Sequence, residues 1–322
     1  MNTRYWWAVG LAVIGFGAIA LMLLNPDVPN GLLIVAAAAL PLAVLFAIQG
    51  KLGKDAPLRA IVGGAVIGGV VAVLAYGLVF TLAYMFVGGF ADTATEILDA
   101  LRVDPALTDA LGTQWLIVLA ISTVVVAPIT EEIGKAAGGL ISRPSSRKGA
   151  FAAGVAAGTG FAVLENLAYA FGGGLFADPT AIVVVRSLGA AVHPLASGLV
   201  VLGWWEWRNG DGVDRLFRGF LSGVGVHALW NASLVALAAI EIAYEPQGTE
   251  DTLAAVSLAY SAAIGAIMAA ALWQMTRAVA NDRDLFSGFA FEDSRSIAAW
   301  TVLTASFLVP VVVLIIAYPG FG

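Results

Sequence analysis

The chain has 322 residues, of which 60% are hydrophobic and 12% charged, with a formal net charge of −6 and no cysteine. A soluble domain carries about 45–50% apolar and about 25% charged residues, so a soluble globular protein is excluded. The acidic balance argues against a nucleic-acid partner, and the lack of cysteine excludes disulfides and thiolate chemistry.

Apolar runs of roughly 20 residues predict an all-α polytopic membrane protein, because barrel strands are shorter and alternate in polarity. Nine spans are expected, near residues 5–24, 31–49, 60–88, 113–141, 149–171, 180–204, 217–241, 252–276 and 297–318. The first reads as a retained helix rather than a cleaved signal. Its apolar run is too long for a signal core, and Tyr5, Trp6 and Trp7 form an interfacial belt, as do Trp204, Trp205 and Trp207.

Basic residues fall on alternate loops. Arg4 precedes the first span; Lys51, Lys54 and Arg59 follow the second; Arg143, Arg147 and Lys148 follow the fourth. Arg208, Arg215 and Arg218 follow the sixth, and Arg277, Arg283 and Arg295 follow the eighth, which makes 13 of the 16 basic residues. The intervening loops hold only Arg102, among Asp92, Glu96 and Asp109. The positive-inside rule then predicts a cytoplasmic N-terminus in a multi-pass protein of the plasma membrane, with an acidic external loop at 89–112 and a polar internal one at 277–296. The GxxxG pairs Gly64–Gly68 and Gly154–Gly158 predict close helix packing.

Against this apolar background the ionisable residues stand out. The fourth span carries Glu131, Glu132 and Lys135, and the fifth Glu165, Asn166 and Tyr169. The sixth carries Arg186 and His193, and the seventh His227 and Asn231; these are the only two histidines. An ionisable group at bilayer depth costs about 2.5–3.5 kcal/mol even on lenient scales, and usually marks function. At 1.5 Å per residue, Glu132 and His227 lie roughly 15 Å from the cytoplasmic end, His193 roughly 18 Å and Glu165 roughly 24 Å. Three residues from three helices thus share one level, with Glu165 nearer the outer face. Helical spacing lets Lys135 reach either acid, places Tyr169 one turn from Glu165 and Asn231 one turn from His227, and puts Arg186 two turns from His193. Pro128 and Pro194 predict kinks that admit water at depth.

Glu and His activate water, which points to hydrolysis inside the membrane. With neutral imidazoles, Glu131, Glu132 and Glu165 against Lys135 and Arg186 leave a net charge of −1, and a divalent ion would leave +1. Charge balance does not demand a metal, but His, His and Glu with water form a catalytic zinc set. The candidate ligands are His193, His227, Glu132 and Glu165. There is no HExxH, so such a site must assemble from separate helices.

The segments PITEEIGK (128–135), GFAVLENLAYA (160–170), Val185–Leu195 and VHALWN (226–231) resemble the PrsW family of intramembrane proteases, related to the CAAX prenyl-protease and bacteriocin-processing superfamily. The resemblance implies one integral membrane domain over 1–322, with a four-helix catalytic core at 113–241 and flanking spans at 1–112 and 242–322. It implies an intramembrane endopeptidase acting on a membrane-protein substrate, such as an anti-sigma factor, in the lipid bilayer. The Glu131–Glu132 pair and His193 match the family's water-activating acid and first histidine. His227 and Asn231 match the second histidine motif, thought to steady the oxyanion in the CAAX relatives. Lys135, Glu165, Asn166, Tyr169 and Arg186 are supporting residues. Zinc is the one cofactor considered; haem, nucleotide and flavin are not expected. A non-catalytic scaffold of the same superfamily and a proton-coupled transporter are the alternatives. The first would tolerate loss of a glutamate, and the second would carry a pH-driven flux.

Overall fold

A computed structural model of the chain describes residues 3–24, 30–53, 58–86, 120–172, 179–244 and 250–286. Among the described residues there are nine α-helices, one π-helical turn and no strand. In chain order they are α1 (Thr3–Leu24), α2 (Asn30–Leu52), α3 (Leu58–Phe86), the π turn (Ser122–Val126), α4 (Ala127–Leu140), α5 (Arg147–Gly172), α6 (Pro179–Leu188), α7 (Val192–Arg208), α8 (Val213–Tyr244) and α9 (Glu250–Ala280). Of the described helices, six are long and apolar enough to cross a bilayer. They become seven if α6 and α7, bent by 47° at a short break, form one broken span. The protein is therefore an all-α polytopic membrane protein. The expected ninth span at 297–318, the loop at 89–112 and the start of the fourth span lie outside the described residues.

The prolines act differently from plain kinks. The chain breaks at Gly189–Ala191, ahead of Pro194, so the proline falls in the first turn of α7, where no backbone donor is missed. Pro128 is the second residue of α4 and cannot donate to the carbonyl four residues back. The turn before it widens, and the Ala127 N–H donates to the Ser122 carbonyl five residues back.

The chain divides into two compact units. The first comprises Met1–Val71, Glu131–His227 and Ser261–Gly288; the second comprises Ala72–Thr130, Ala228–Tyr260 and Phe289–Gly322. In the first unit α5 is the central helix. It packs against α2, α6 and α7, and its span is 78% buried, against 28% for α1. Small residues allow this approach. A Cβ on Gly154 would collide with the Ser197 carbonyl, one on Gly158 with the His193 carbonyl, and one on Gly160 with the Ile61 carbonyl. Gly64 meets the Ala157 backbone, so both expected GxxxG pairs lie at helix contacts. Asn166 donates to the Ala37 carbonyl (3.1 Å) and Ser187 to the Ala36 carbonyl (2.9 Å), tying α5 and α6 to α2.

One end of this unit is laced by charge. Arg147 pairs with Glu206 (2.6 Å), Arg215 with Asp284 (2.5 Å) and Lys148 with Asp282 (3.0 Å), while Arg59 donates to the Ser142 carbonyl (2.6 Å). Basic residues at the starts of three different helices, α3, α5 and α8, thus gather at one pole. In the second unit, Thr130 bonds back to the Val126 carbonyl (2.8 Å), and the Asn231 amide donates to the Thr123 carbonyl of the π turn (2.8 Å).

Candidate active site

Five helices bring polar residues of the first unit to one buried cluster. From α4 come Glu131, Glu132 and Lys135; from α5 Glu165; from α6 Arg186; from α7 His193; and His227 projects from α8. Glu131, Glu132, Lys135, His193 and His227 are all at most 4% exposed. Burial of charge at this depth is sustained only by pairing, and each group has partners.

Glu132 is fully engaged. Its Oε1 takes Lys135 Nζ at 2.5 Å and lies 3.1 Å from His227 Nδ1, while its Oε2 accepts from Ser197 Oγ at 2.9 Å. With Nδ1 donating to that carboxylate, His227 turns Nε2 toward Glu131 Oε2, 3.7 Å away. His193 is fixed from both sides. Lys135 Nζ stands 2.9 Å from its Nδ1, and Glu165 Oε2 is 3.0 Å from its Nε2. A lysine ammonium only donates, so Nδ1 accepts, while Nε2 stands between Glu165 and an Arg186 guanidinium nitrogen 3.3 Å away. Glu165 is paired in turn with Arg186, whose guanidinium also donates to Asn166 Oδ1 (3.1 Å) and lies over the Tyr169 ring (4.6 Å). The two imidazoles meet edge to face with centroids 4.6 Å apart, and Phe161 edges against His193 at 5.3 Å.

Glu131 stands apart from this web. Its Oε2 is buried without a hydrogen-bond partner among the described residues, with Lys135 Nζ at 3.6 Å and His227 Nε2 at 3.7 Å. A buried carboxylate oxygen left unbonded is costly; Glu165 Oε2 likewise makes no hydrogen bond but is ion-paired with Arg186. Glu131, His193 and His227 each offer a donor atom within 4.8 Å of the other two, a spacing that could hold a metal ion. Two imidazoles and a carboxylate suit a divalent ion, and the Glu132 and Glu165 carboxylates behind the imidazoles are the outer partners that orient such ligands. Glu131 thus stands in this group where Glu132 and Glu165 were expected from sequence.

The depth estimate separated Glu165 from the other three, whereas its carboxylate touches His193. The reason lies in the helix ends. His193 stands fifteen residues before Arg208 and Glu165 eighteen after Arg147. The difference of three residues is roughly 4.5 Å, which a glutamate side chain spans. Asn231 belongs to the second unit and gives its amide to Thr123. Ser197 and Phe161 were not singled out from sequence. Ser197 follows His193 by one helical turn, and that spacing was the available signal.

A family model described as PrsW family intramembrane metalloprotease matches residues 56–249, more than half of the chain. No curated protein and no solved structure matches significantly.

Proposed function

Since the chain belongs to the PrsW family of intramembrane metalloproteases, we propose that it is a plasma-membrane endopeptidase that cuts an anti-sigma-factor-like or other single-span membrane protein within the bilayer. The observation that carries this reading is the buried Glu131 Oε2, unbonded and facing the two histidines. The chemistry is assigned to a core over 113–241, with 1–112 and 242–322 as flanking spans.

A divalent ion held by Glu131, His193 and His227, zinc by donor type, would supply a polarised water and Lewis acidity toward the scissile carbonyl. The chain's own residues set the stage for that attack. Glu131, through the carboxylate oxygen not given to the ion, takes the proton of the attacking water and passes it to the departing amine. Glu132 holds His227 through Nδ1, which leaves its Nε2 toward Glu131, while Glu165 and Arg186 flank His193 Nε2 and Lys135 meets its Nδ1. Arg186, steadied by Asn166 and Tyr169, anchors Glu165. Asn231 is a positioning residue that fixes the π turn ahead of the glutamate pair in sequence.

The test is cleavage of a single-span reporter by the purified protein in proteoliposomes. Wild type is expected to cut it, a chelator to slow it, and Glu131→Gln to abolish it. Undiminished cleavage by the Glu131→Gln, Glu132→Gln double variant rules the assignment out.

A further inference from the structure

Lys135 is completely buried, and no aqueous route is needed to explain its partners. Its Nζ lies 2.5 Å from Glu132 Oε1, 2.9 Å from His193 Nδ1 and 3.6 Å from Glu131 Oε2, with the Phe161 ring centroid at 4.4 Å. His193 Nε2 is flanked by Glu165 Oε2 (3.0 Å) and an Arg186 guanidinium nitrogen (3.3 Å), so Nδ1 is the His193 nitrogen on the lysine's side. Glu131 Oε2 is a buried carboxylate oxygen without a hydrogen bond among the described residues. The ammonium therefore lies against His193 and close to Glu131, two of the three residues whose donor atoms could hold a metal.

Charge sharpens the point. Glu131, Glu132 and Glu165 against Lys135 and Arg186, with neutral imidazoles, carry −1 in total. A divalent ion added beside the lysine would bring the buried cluster to +1, and two cations would face one another across a few ångströms. With Nζ withdrawn, the same ion leaves the cluster neutral. Uncompensated charge is disfavoured in a low-dielectric interior, and like charges at contact distance repel strongly there. The lysine stem is flexible and its ammonium is a compact point charge, so withdrawal needs only side-chain rotation.

We infer that Lys135 is a tethered cation that competes with the divalent metal for His193 and Glu131, so that lysine occupancy and metal occupancy of this site are alternatives. The metal-free site is held together by its own side chain, and loading displaces that side chain rather than filling an empty cage. This inference rests on the metal site proposed above.

Metal titration of the full-length protein in detergent tests it, with cobalt(II) as the probe read by its visible absorption and zinc added in competition. Lys135→Met is expected to bind at least about tenfold more tightly than wild type, because a buried competing charge is gone. Lys135→Arg keeps the charge and is expected to bind no more tightly than wild type. Equal affinity of wild type and Lys135→Met overturns the competition and leaves the metal site standing. Absence of binding by all three overturns the inference and the metal site together. Because Lys135→Met leaves the buried Glu132 without its cation and so puts folding at risk, a wild-type measurement stands beside it. On addition of zinc, the side-chain 15N resonance of Lys135, identified by its absence in Lys135→Arg, is expected to shift. An unmoved resonance at saturating zinc overturns the inference.

Discussion

Glu131 and Glu132 are neighbours in sequence and opposites in circumstance. Glu132 accepts from a lysine, a serine and a histidine, whereas Glu131 keeps an oxygen without a hydrogen bond. Their substitutions should therefore fail in different ways. Glu132→Gln removes the carboxylate behind His227, and outer partners of this kind are worth about 10–100-fold in activity or metal affinity. Slowed but measurable cleavage is expected, against complete loss in Glu131→Gln. Ser197→Ala takes away a hydrogen bond to a buried charge, which costs about 1.5–3 kcal/mol. Thermal melting of the purified variant should show that loss, while a Tm equal to wild type would mean that Glu132 is held without the serine. Adjacent acids on a helix point about 100° apart, so the pair was legible as a site from sequence, but which acid keeps an oxygen without a hydrogen bond was not. That distinction depends on Ser197 and His227, which arrive from two other helices.

At the scale of the helix, the site depends on how closely α5 and α7 approach. Gly158 faces the carbonyl of His193 itself, so any side chain there pushes away the residue that carries the first imidazole. Gly17, on α1, meets nothing within 4 Å. Gly158→Leu is expected to destabilise the protein by at least about 1–3 kcal/mol through overpacking, and to abolish cleavage. Gly17→Leu should be neutral in both assays. Equal tolerance at the two positions, read by melting and by reporter cleavage, would show that α5 and α7 are not in contact as described. The small residues were visible in sequence as GxxxG pairs, and so were the long apolar helices. What could not be read was that α2, taken as a flanking span, receives Asn166 and Ser187 on the carbonyls of Ala36 and Ala37. A backbone acceptor leaves no mark in side-chain identity. The position of the α6–α7 break was hidden for a similar reason. Pro194 announces a disturbance, but a proline is equally at home inside a bend and in the first turn after one.

At the scale of the whole molecule, the distribution of charge decides which way the chain lies in the membrane. The basic residues around 59, 147, 148 and 215 come together at one pole of the first unit through Ser142, Glu206, Asp282 and Asp284. Placing that pole in the cytoplasm satisfies the positive-inside rule for every loop that the rule addresses. The opposite orientation would export thirteen basic residues and retain the acidic stretch around Asp92, Glu96 and Asp109. Because the chain has no cysteine, single cysteines report accessibility without background. Asn209→Cys sits in the exposed turn after α7 on the basic side, and Asp92→Cys lies in the predicted external loop, outside the described residues. A membrane-impermeant maleimide is expected to label Asp92→Cys in intact cells, and Asn209→Cys only after permeabilisation. The reverse pattern would invert the orientation and with it the depth ordering of the site. Labelling of both from outside would mean an even number of spans between them, where the alternation of charge requires an odd one.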